Sequence, residues 1–406
     1  MLRSAHSEPP TVRTGLSGAE SYRGRVRLPG RAKLAVALVA LACATAQPGI
    51  VRQGDSFRRH FEGSVPAARK LRINAHGPVT LTAGSGNSVS YSVNVSVRAR
   101  SEAEARRVLE HYAIRVEPVG DRLVVTAPGG PVISTVIVRA PRLDTATIST
   151  SDGAVDASGV DGLLEIDTGA GELKVDRVRG DCKLVTGGGD VSVGNIGGAL
   201  YCRSGAGRIQ VGSVKGQAVL ETVGGDIFAG EIGGTVRAET GGGGIHIVKA
   251  GSSVSAGTGG GQIVVDTAGG IVTARNMAGP VQVGAAGGVQ CESASGGIRV
   301  SNISGPIRVS TSLGNILANL LGAHLADSFL ATANGDITVI IPSNVGVTIR
   351  ARNDMADTLR RITSDFSAVS VRRMGRQVVA EGPVNGGGPL LQISATVGNI
   401  FIRKQE

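Results

Sequence analysis

The sequence predicts an all-β fold: a single-stranded parallel β-solenoid, or β-helix, with 18-residue coils, preceded by a small strand–helix–strand capping module. Three observations support this prediction, namely a long internal repeat, a strand-like spacing of apolar residues inside it, and glycine at its corners. Residues 151–276 divide without gaps into seven consecutive blocks of eighteen residues. Repetition at a fixed period is typical of solenoids, in which stacked units bury one continuous core.

Apolar residues occupy fixed places in these blocks. Positions 5 and 7 form one pair, such as Val191 with Val193, position 10 is apolar, and positions 14 and 16 form a second pair, such as Val236 with Ala238. A spacing of two puts both members of a pair on one face of a strand. Glycine fills position 12 in six of the seven blocks, where it suits a turn. Each block is therefore predicted to run strand, corner, strand, corner, with positions 5, 7, 10, 14 and 16 inside.

The repeat also predicts the domain organisation. The β-solenoid is expected over residues 133–350 with about 12 coils, because the pattern continues less regularly on both sides of the seven blocks. Residues 47–132 are expected to form an N-terminal α+β capping module, whose helix begins at a capping box of Ser101 and Glu104. Residues 351–406 are expected to form a C-terminal polar segment and closing strands. The ends of a solenoid need such covers.

The composition agrees with a thin β-solenoid. Aromatic residues make up 2% of the chain and tryptophan is absent, whereas glycine occurs 62 times. A narrow interior can be filled by valine, isoleucine, leucine and alanine. Half of the net charge of +10 lies in residues 1–46, which carry seven basic and two acidic residues. The remainder has no basic block interleaved with aromatic residues, so no nucleic-acid partner is expected.

Residues 1–46 have the pattern of a signal peptide with a long basic n-region. Two basic residues precede the apolar run 34–42, and the A-x-A sequence that follows predicts cleavage after Ala46. Lipid attachment at Cys43 and retention as an uncleaved N-terminal anchor are the alternatives. The protein is therefore expected to be exported, to the periplasm, the outer envelope or the extracellular space. Membrane association is expected only through such an anchor.

The other three cysteines fall at inward positions of the repeat. Cys182, Cys202 and Cys291 are widely spaced along the predicted rod. They are expected to be small core residues. The disulfide framework of an exported protein, or a metal site, would need cysteines at closer and more regular spacing.

No catalytic, cofactor-binding or metal-binding residue is predicted. Asp190 and Asp226 only approach the calcium-binding rhythm of β-rolls, since they lie two blocks apart with a basic residue between them. His246 falls at an outward position and is expected to be solvated. The chain has no nucleotide-binding, serine-hydrolase or zinc-protease motif. The histidines, none of which has a partner at metal-ligand spacing, are His6, His60, His76, His111, His246 and His324.

Outward acidic residues leave an enzymatic alternative open, because solenoid glycosidases and lyases carry acidic clusters on one exposed sheet. Glu221 and Glu239 fall at position 17 of adjacent blocks, where two carboxylates could share a proton. Their neighbours are small, and no aromatic residues form a groove that would stack sugars. The outward acids considered are Glu165, Asp167, Glu221, Glu239 and Asp266.

Two further surface patterns each have two interpretations. Position 18 is threonine or serine in six of the seven blocks. The favoured interpretation is a hydroxyl ladder that satisfies backbone groups at the corners, and the alternative is a flat hydroxyl array that matches ice or a glycan. Arginine is frequent between residues 350 and 376. A solvated face is favoured there, and contact with anionic lipid or an anionic polymer is the alternative.

The repeat [ST]-x-x-G-x-[IV]-x-[VA], as in residues 222–229, and the closing segments 387–394 and 398–402 resemble a known bacterial family. This is the "putative adhesin" family of β-strand-repeat domains of unknown function, and the resemblance spans roughly residues 55–403. The resemblance implies an exported β-solenoid and supplies no catalytic residues.

Repeat, signal peptide and resemblance together favour an exported, non-enzymatic β-solenoid that binds or scaffolds at the cell envelope, in an adhesin-like role. Its expected partner is an envelope glycan or a surface protein. The alternatives are a polysaccharide-active β-helix enzyme and a self-assembling structural protein.

Overall fold

The computed structural model describes residues 50–321, 325–355 and 361–405. Within them lie 36 β-strands and one α-helix, and the predicted parallel β-solenoid is confirmed. The predicted signal peptide, its cleavage site, Cys43, His6 and His324 lie outside the described residues. No helix in the described ranges is long and apolar enough to cross a membrane.

The first nine elements precede the regular repeat. They are β1 Val51–Gln53, β2 Ser56–Pro66, β3 Lys70–Ala75, β4 Val79–Ala83, β5 Ser88–Arg98, α1 Glu102–His111, β6 Arg115–Val119, β7 Arg122–Thr126 and β8 Ile133–Ala140.

Regular turns follow, each with two strands. They comprise β9 Thr145–Thr150, β10 Val155–Ser158, β11 Leu163–Thr168, β12 Leu173–Asp176, β13 Cys182–Thr186, β14 Val191–Ile196, β15 Leu200–Ser204, β16 Ile209–Val214, β17 Ala218–Thr222, β18 Ile227–Ile232, β19 Val236–Thr240, β20 Ile245–Ala250, β21 Val254–Thr258, β22 Ile263–Ala268, β23 Ile271–Ala278, β24 Val281–Ala285, β25 Gly288–Ser295, β26 Ile298–Ser301, β27 Ile307–Leu313, β28 Ile316–Asn319, β29 Ser328–Asn334 and β30 Ile337–Ile341. The last elements are β31 Val347–Asn353, β32 Ile362–Ser364, β33 Ser370–Met374, β34 Gln377–Val384, β35 Leu390–Val397 and β36 Ile400–Lys404.

Each regular turn contributes one strand to each of two sheets. Even-numbered strands from β10 to β30 stack in parallel to form sheet A, and odd-numbered strands from β9 to β29 stack in parallel to form sheet B. Within the seven blocks the partners are eighteen residues apart, as in Val191 with Ile209. Among the described residues this gives eleven successive turns, from β9–β10 to β29–β30.

The core lies between the two sheets and has the predicted composition. All thirty-five side chains at positions 5, 7, 10, 14 and 16 of the seven blocks are at most 4% exposed. Burial of a valine, leucine or isoleucine side chain contributes about 1.5–3 kcal/mol, so the repeated apolar positions are the main source of stability. The assignment of these positions to the interior is therefore confirmed.

The position-18 hydroxyls point inward, so they form the backbone-satisfying ladder and the exposed ligand-matching array is excluded. Thr240 is 6% exposed, and its Oγ1 donates to the carbonyl oxygen of Gly225 at 2.8 Å. The same oxygen accepts a hydrogen bond from the backbone N–H of Gly243 at 3.2 Å. Gly225 and Gly243 are stacked corner residues of successive turns, and the hydroxyl bridges them. Buried backbone groups must find such partners when no strand pairing serves them.

Replacement of Thr240 by valine is expected to destabilise the protein by about 1–3 kcal/mol, because an isosteric side chain leaves a buried carbonyl and N–H unsatisfied. Thr235→Val is the matched control, since Thr235 is exposed. Its effect is expected to stay within about 0.5 kcal/mol. Urea unfolding monitored by circular dichroism would measure both variants, and equal midpoints would contradict a role for the buried hydroxyl.

At both ends of the solenoid a terminal strand pair is inserted between two other turns. The β3–β4 pair lies between β7–β8 and β9–β10, with Leu71 in register with both Leu123 and Ala146. The β35–β36 pair lies in the same way between β29–β30 and β31–β32. At each end, therefore, strands that are neighbours in the sheets come from segments far apart in the sequence.

Antiparallel strands and the helix cover the N-terminal end. Strands β8, β5, β2 and β1 continue sheet A in antiparallel order, and α1 packs on β2 and β5 through Ala105 and Leu109. The predicted capping box is present in part: Ser101 Oγ accepts the N–H of Glu104 at 3.2 Å, whereas the carboxylate of Glu104 accepts the N–H of Arg100, the residue before the cap, at 3.1 Å. The helix thereby closes the apolar interior at this end.

Candidate functional site

Glu221 and Glu239 lie side by side on the outer face of sheet B, in register on neighbouring strands. Each carboxylate has its own partner. Glu239 Oε1 is 2.7 Å from Nη2 of Arg237, and Glu221 Oε2 accepts from the hydroxyl of Tyr201 at 3.4 Å. The pair therefore lies on a flat sheet with separate partners, unlike the facing carboxylates of a glycosidase cleft.

The other outward acids do not join this pair. Glu165 and Asp167 lie on the same face several turns away, in register with Lys183 and Val185 of the next strand. Asp266 lies on the opposite sheet, sheet A. The structure thus brings together two of the five acids singled out in the sequence and separates the rest.

A histidine–aspartate pair on sheet A was not predicted. His246 Nε2 lies 3.0 Å from Oδ2 of Asp266, and the imidazole makes an edge contact with the ring of Phe228, with centroids 5.4 Å apart. Both side chains of the pair are about half exposed, at 41% and 47%. The two residues are twenty positions apart in the sequence, which is one turn plus two residues. This separation is much longer than the short spacing of paired metal ligands, so the pair does not stand out in the sequence. His246 is therefore solvated on one side and hydrogen-bonded on the other.

Asp190 and Asp226 serve the backbone at the corners. Oδ1 of Asp190 accepts the N–H of Arg208 at 2.7 Å, and Oδ1 of Asp226 accepts the N–H of Gly244 at 2.8 Å. Each bond links one turn to the next. In the described part of the chain, no group of three or more His, Cys, Asp and Glu side chains could hold a metal ion.

The three cysteines described by the structure are free and buried, as the repeat predicts. Burial raises the pKa of Cys182 to about 12 and that of Cys291 to about 12, because the interior disfavours the thiolate. Burial also raises the pKa of Cys202, and the nearby Cys182 adds to this.

Thiol alkylation is expected to fail on the folded protein near pH 8 and to modify all three cysteines after denaturation, because the thiolate is the reactive species. Unfolded thiols ionise with a pKa of about 8.5, whereas the folded ones stay protonated at that pH. The stability gained from these groups is complete below that pH and is lost as pH rises towards the folded pKa of about 12. Mass spectrometry after iodoacetamide treatment would check the first expectation. Rapid labelling of the native protein would contradict it.

The arginine-rich C-terminal region is exposed and partly neutralised. Arg372 and Arg350 both approach the carboxylate of Glu381, at 2.8 Å and 3.6 Å, and Arg352 lies 2.9 Å from Asp354. These pairs hold about half-exposed side chains on the last strands of sheet B. Ion pairs of this kind contribute little stability and reduce the local field.

A basic groove lies at the corner that joins sheet A to sheet B, near the first turns. Its volume is about 780 Å³. The loop that follows β4 forms one wall, and the corners after β10, β12, β14 and β16 form the floor. The charged residues that line it are Arg142, Asp161, Arg177, Arg179 and Lys215.

Asp161 holds two of these cations in place. Its Oδ2 is 2.6 Å from Nε of Arg142, and its Oδ1 accepts a hydrogen bond from Nη1 of Arg179. The carboxylate is only 14% exposed, whereas the side chains of Arg142 and Arg179 are 72% and 76% exposed. Each guanidinium therefore uses one nitrogen for Asp161, and its other N–H groups are available to a ligand because the side chain is largely exposed.

No protein-family model matches the sequence, and no curated protein matches it. Solved structures with some likeness include one described as a "putative cell adhesion protein" from Clostridium sporogenes, which is 10% identical with a TM-score of 0.18, over 86% of this chain and 100% of that chain. Another is a "putative adhesin" from Bacteroides fragilis, 10% identical with a TM-score of 0.21, over 88% of this chain and 100% of that chain. Both TM-scores and both identities are low, so the function proposed below rests on the residues of this chain.

Proposed function

We propose that this chain is an exported, non-enzymatic β-solenoid that acts at the cell envelope by binding or scaffolding, in an adhesin-like role. One observation carries the proposal: a regular backbone presents outward side chains that change from turn to turn. On sheet A the in-register column runs through Gln210, Phe228, His246 and Val264. Such a surface suits recognition of an extended partner, as in other solenoids.

The partner that we propose is an envelope glycan or a surface protein. Export is supported by the signal-peptide pattern of residues 1–46. Fractionation of cells that express the full chain is expected to place it in the envelope or the medium, with a mature N-terminus at Gln47. Ala46→Arg should leave the precursor uncleaved, because the cleavage site requires a small residue. A wild-type chain that stays cytoplasmic and unprocessed would contradict export.

Binding is to be measured by sedimentation of the purified mature chain with isolated cell walls. Turnover of the wall glycan is followed in the same mixture by release of reducing ends. We expect binding without turnover. Turnover that disappears in Glu221→Gln/Glu239→Gln would instead establish the polysaccharide-active enzyme.

Self-assembly through the sheet ends is opposed by the outermost strands of the described chain. Strands β1 and β32 have three residues each, β6 contains Pro118, and β33 carries Arg372 and Arg373. Short, proline-containing and charged edges discourage pairing with another chain. Light scattering is expected to give a monomer at high concentration, and growth of the particle mass with concentration would favour the structural alternative.

A further inference from the structure

We propose that the basic corner groove, formed by Arg142, Arg177, Arg179 and Lys215 around Asp161, is a phosphate-binding site. It takes a phosphate group carried by a larger envelope molecule, either a soluble polymer or a lipid headgroup. The inference deepens the proposed binding role, on which it rests, by naming the chemical class of the ligand.

The first support is the charge of the groove. Four cations line it against the carboxylate of Asp161, which Arg142 and Arg179 share, while Arg177 pairs at 3.6 Å with Asp176, the residue before it in the chain. Lys215 is exposed and, within the described ranges, makes no ion pair. Arginine N–H groups form short, charge-assisted bonds to phosphate oxygens, often two at a time. A concave surface with a net positive charge also concentrates anions.

The second support is the residue type at Arg177, an arginine at a corner position where the backbone is left-handed. Its φ is 54°, in the left-handed region. Two equivalent corner residues share this region, and they are Gly159 with φ 82° and Asn302 with φ 46°. Glycine and asparagine tolerate this conformation, whereas arginine is strained in it. A strained residue at the rim of a groove points to a role for its side chain, because stability alone would favour glycine there.

The third support is the spacing of the cations. Arg177 and Lys215 belong to the corners after β12 and β16, two turns apart. At a rise of about 4.8 Å per turn, these two corners are about 10 Å apart along the solenoid. This span exceeds one phosphate group, so the groove fits a phosphate that belongs to a longer molecule.

The test compares two double variants that each remove two positive charges. Arg177→Gly/Lys215→Ala changes the groove, and Arg203→Ala/Arg308→Ala changes exposed residues of sheet B. Because glycine suits φ 54°, the groove variant should unfold at a midpoint no lower than that of the wild type. A loss of binding can then be separated from a loss of folding.

Binding of the mature chain is measured with two probes, glycerol phosphate by titration calorimetry and phosphatidylglycerol vesicles by co-sedimentation, with phosphatidylcholine vesicles as the reference. We expect the groove variant to weaken binding about tenfold or more, and the sheet variant to change it by less than about twofold. Added salt should weaken wild-type binding. Preference for the vesicles would identify a lipid headgroup as the source, and preference for glycerol phosphate a soluble polymer.

No binding to either probe, or equal losses in both double variants, would overturn the inference. Cell-wall binding that persists in a groove variant which has lost phosphate binding would show that the groove does not hold the envelope ligand, while leaving the proposed function in place.

Discussion

Gly225→Ala is expected to lower the free energy of unfolding by about 3 kcal/mol. A Cβ at this corner would run into the carbonyl oxygen and carbon of Gly207, the stacked residue one turn below. The clash is with backbone, so relief requires the two turns to separate. Separation would also disturb the bond from Thr240 Oγ1 to the Gly225 carbonyl. Small-to-large changes in close-packed regions are costly for this reason.

The neighbouring glycine provides the control. A Cβ at Gly224 would meet no atom within 4 Å, and neither glycine has a positive φ. Gly224→Ala should therefore be neutral or stabilise by up to about 1 kcal/mol, because alanine restricts the unfolded chain. Guanidinium midpoints of the two variants measure the difference. Similar midpoints would show that adjacent turns are free to move apart at this corner.

The interior of the solenoid could be predicted from the sequence because burial repeats with every turn. Val155, Leu173 and Val191 recur at one position, and each is buried in register with the next. The inward side of the corner hydroxyls also follows from the period of two, because position 18 continues the alternation of positions 14 and 16. Their hydrogen-bond partners do not, since only the backbone geometry around Thr186 and Thr240 brings the corner carbonyls within reach.

The ends and the basic groove could not be predicted in the same way. Leu71 pairs with Leu123 across 52 residues, so no fixed period marks the inserted coil. The register between such distant strands is set only when they pair in the folded protein, so a local sequence pattern does not reveal it. Arg177 gives no sign of its left-handed backbone, because glycine and asparagine are the residues that normally signal it. The groove then joins Arg142 and Lys215, which lie 73 residues apart in sequence.

Ile393→Asp is expected to release much more of the C-terminal end than the strand that carries it. Ile393 is fully buried in β35, in register with Leu330 on one side and Ala351 on the other. A buried, unpaired carboxylate costs about 4 kcal/mol or more, which should unfold the inserted β35–β36 pair. Strand β31 reaches the solenoid through β35, and β32 pairs with β36. Amide hydrogen exchange should therefore show loss of protection in β31, β32 and β34 together with β35 and β36.

Gln392→Asp introduces the same carboxylate on the exposed side of the same strand, next to Arg350. It is expected to leave the exchange pattern unchanged, with a stability change within about 0.5 kcal/mol. Exposure of β35 and β36 in Ile393→Asp while β31 stays protected would contradict the prediction, because the pair would then unfold independently of β31. Joint loss follows from the insertion, because a coil held between two others cannot leave without separating them. The same reasoning applies to β3–β4, whose removal would separate β7–β8 from the first regular turn.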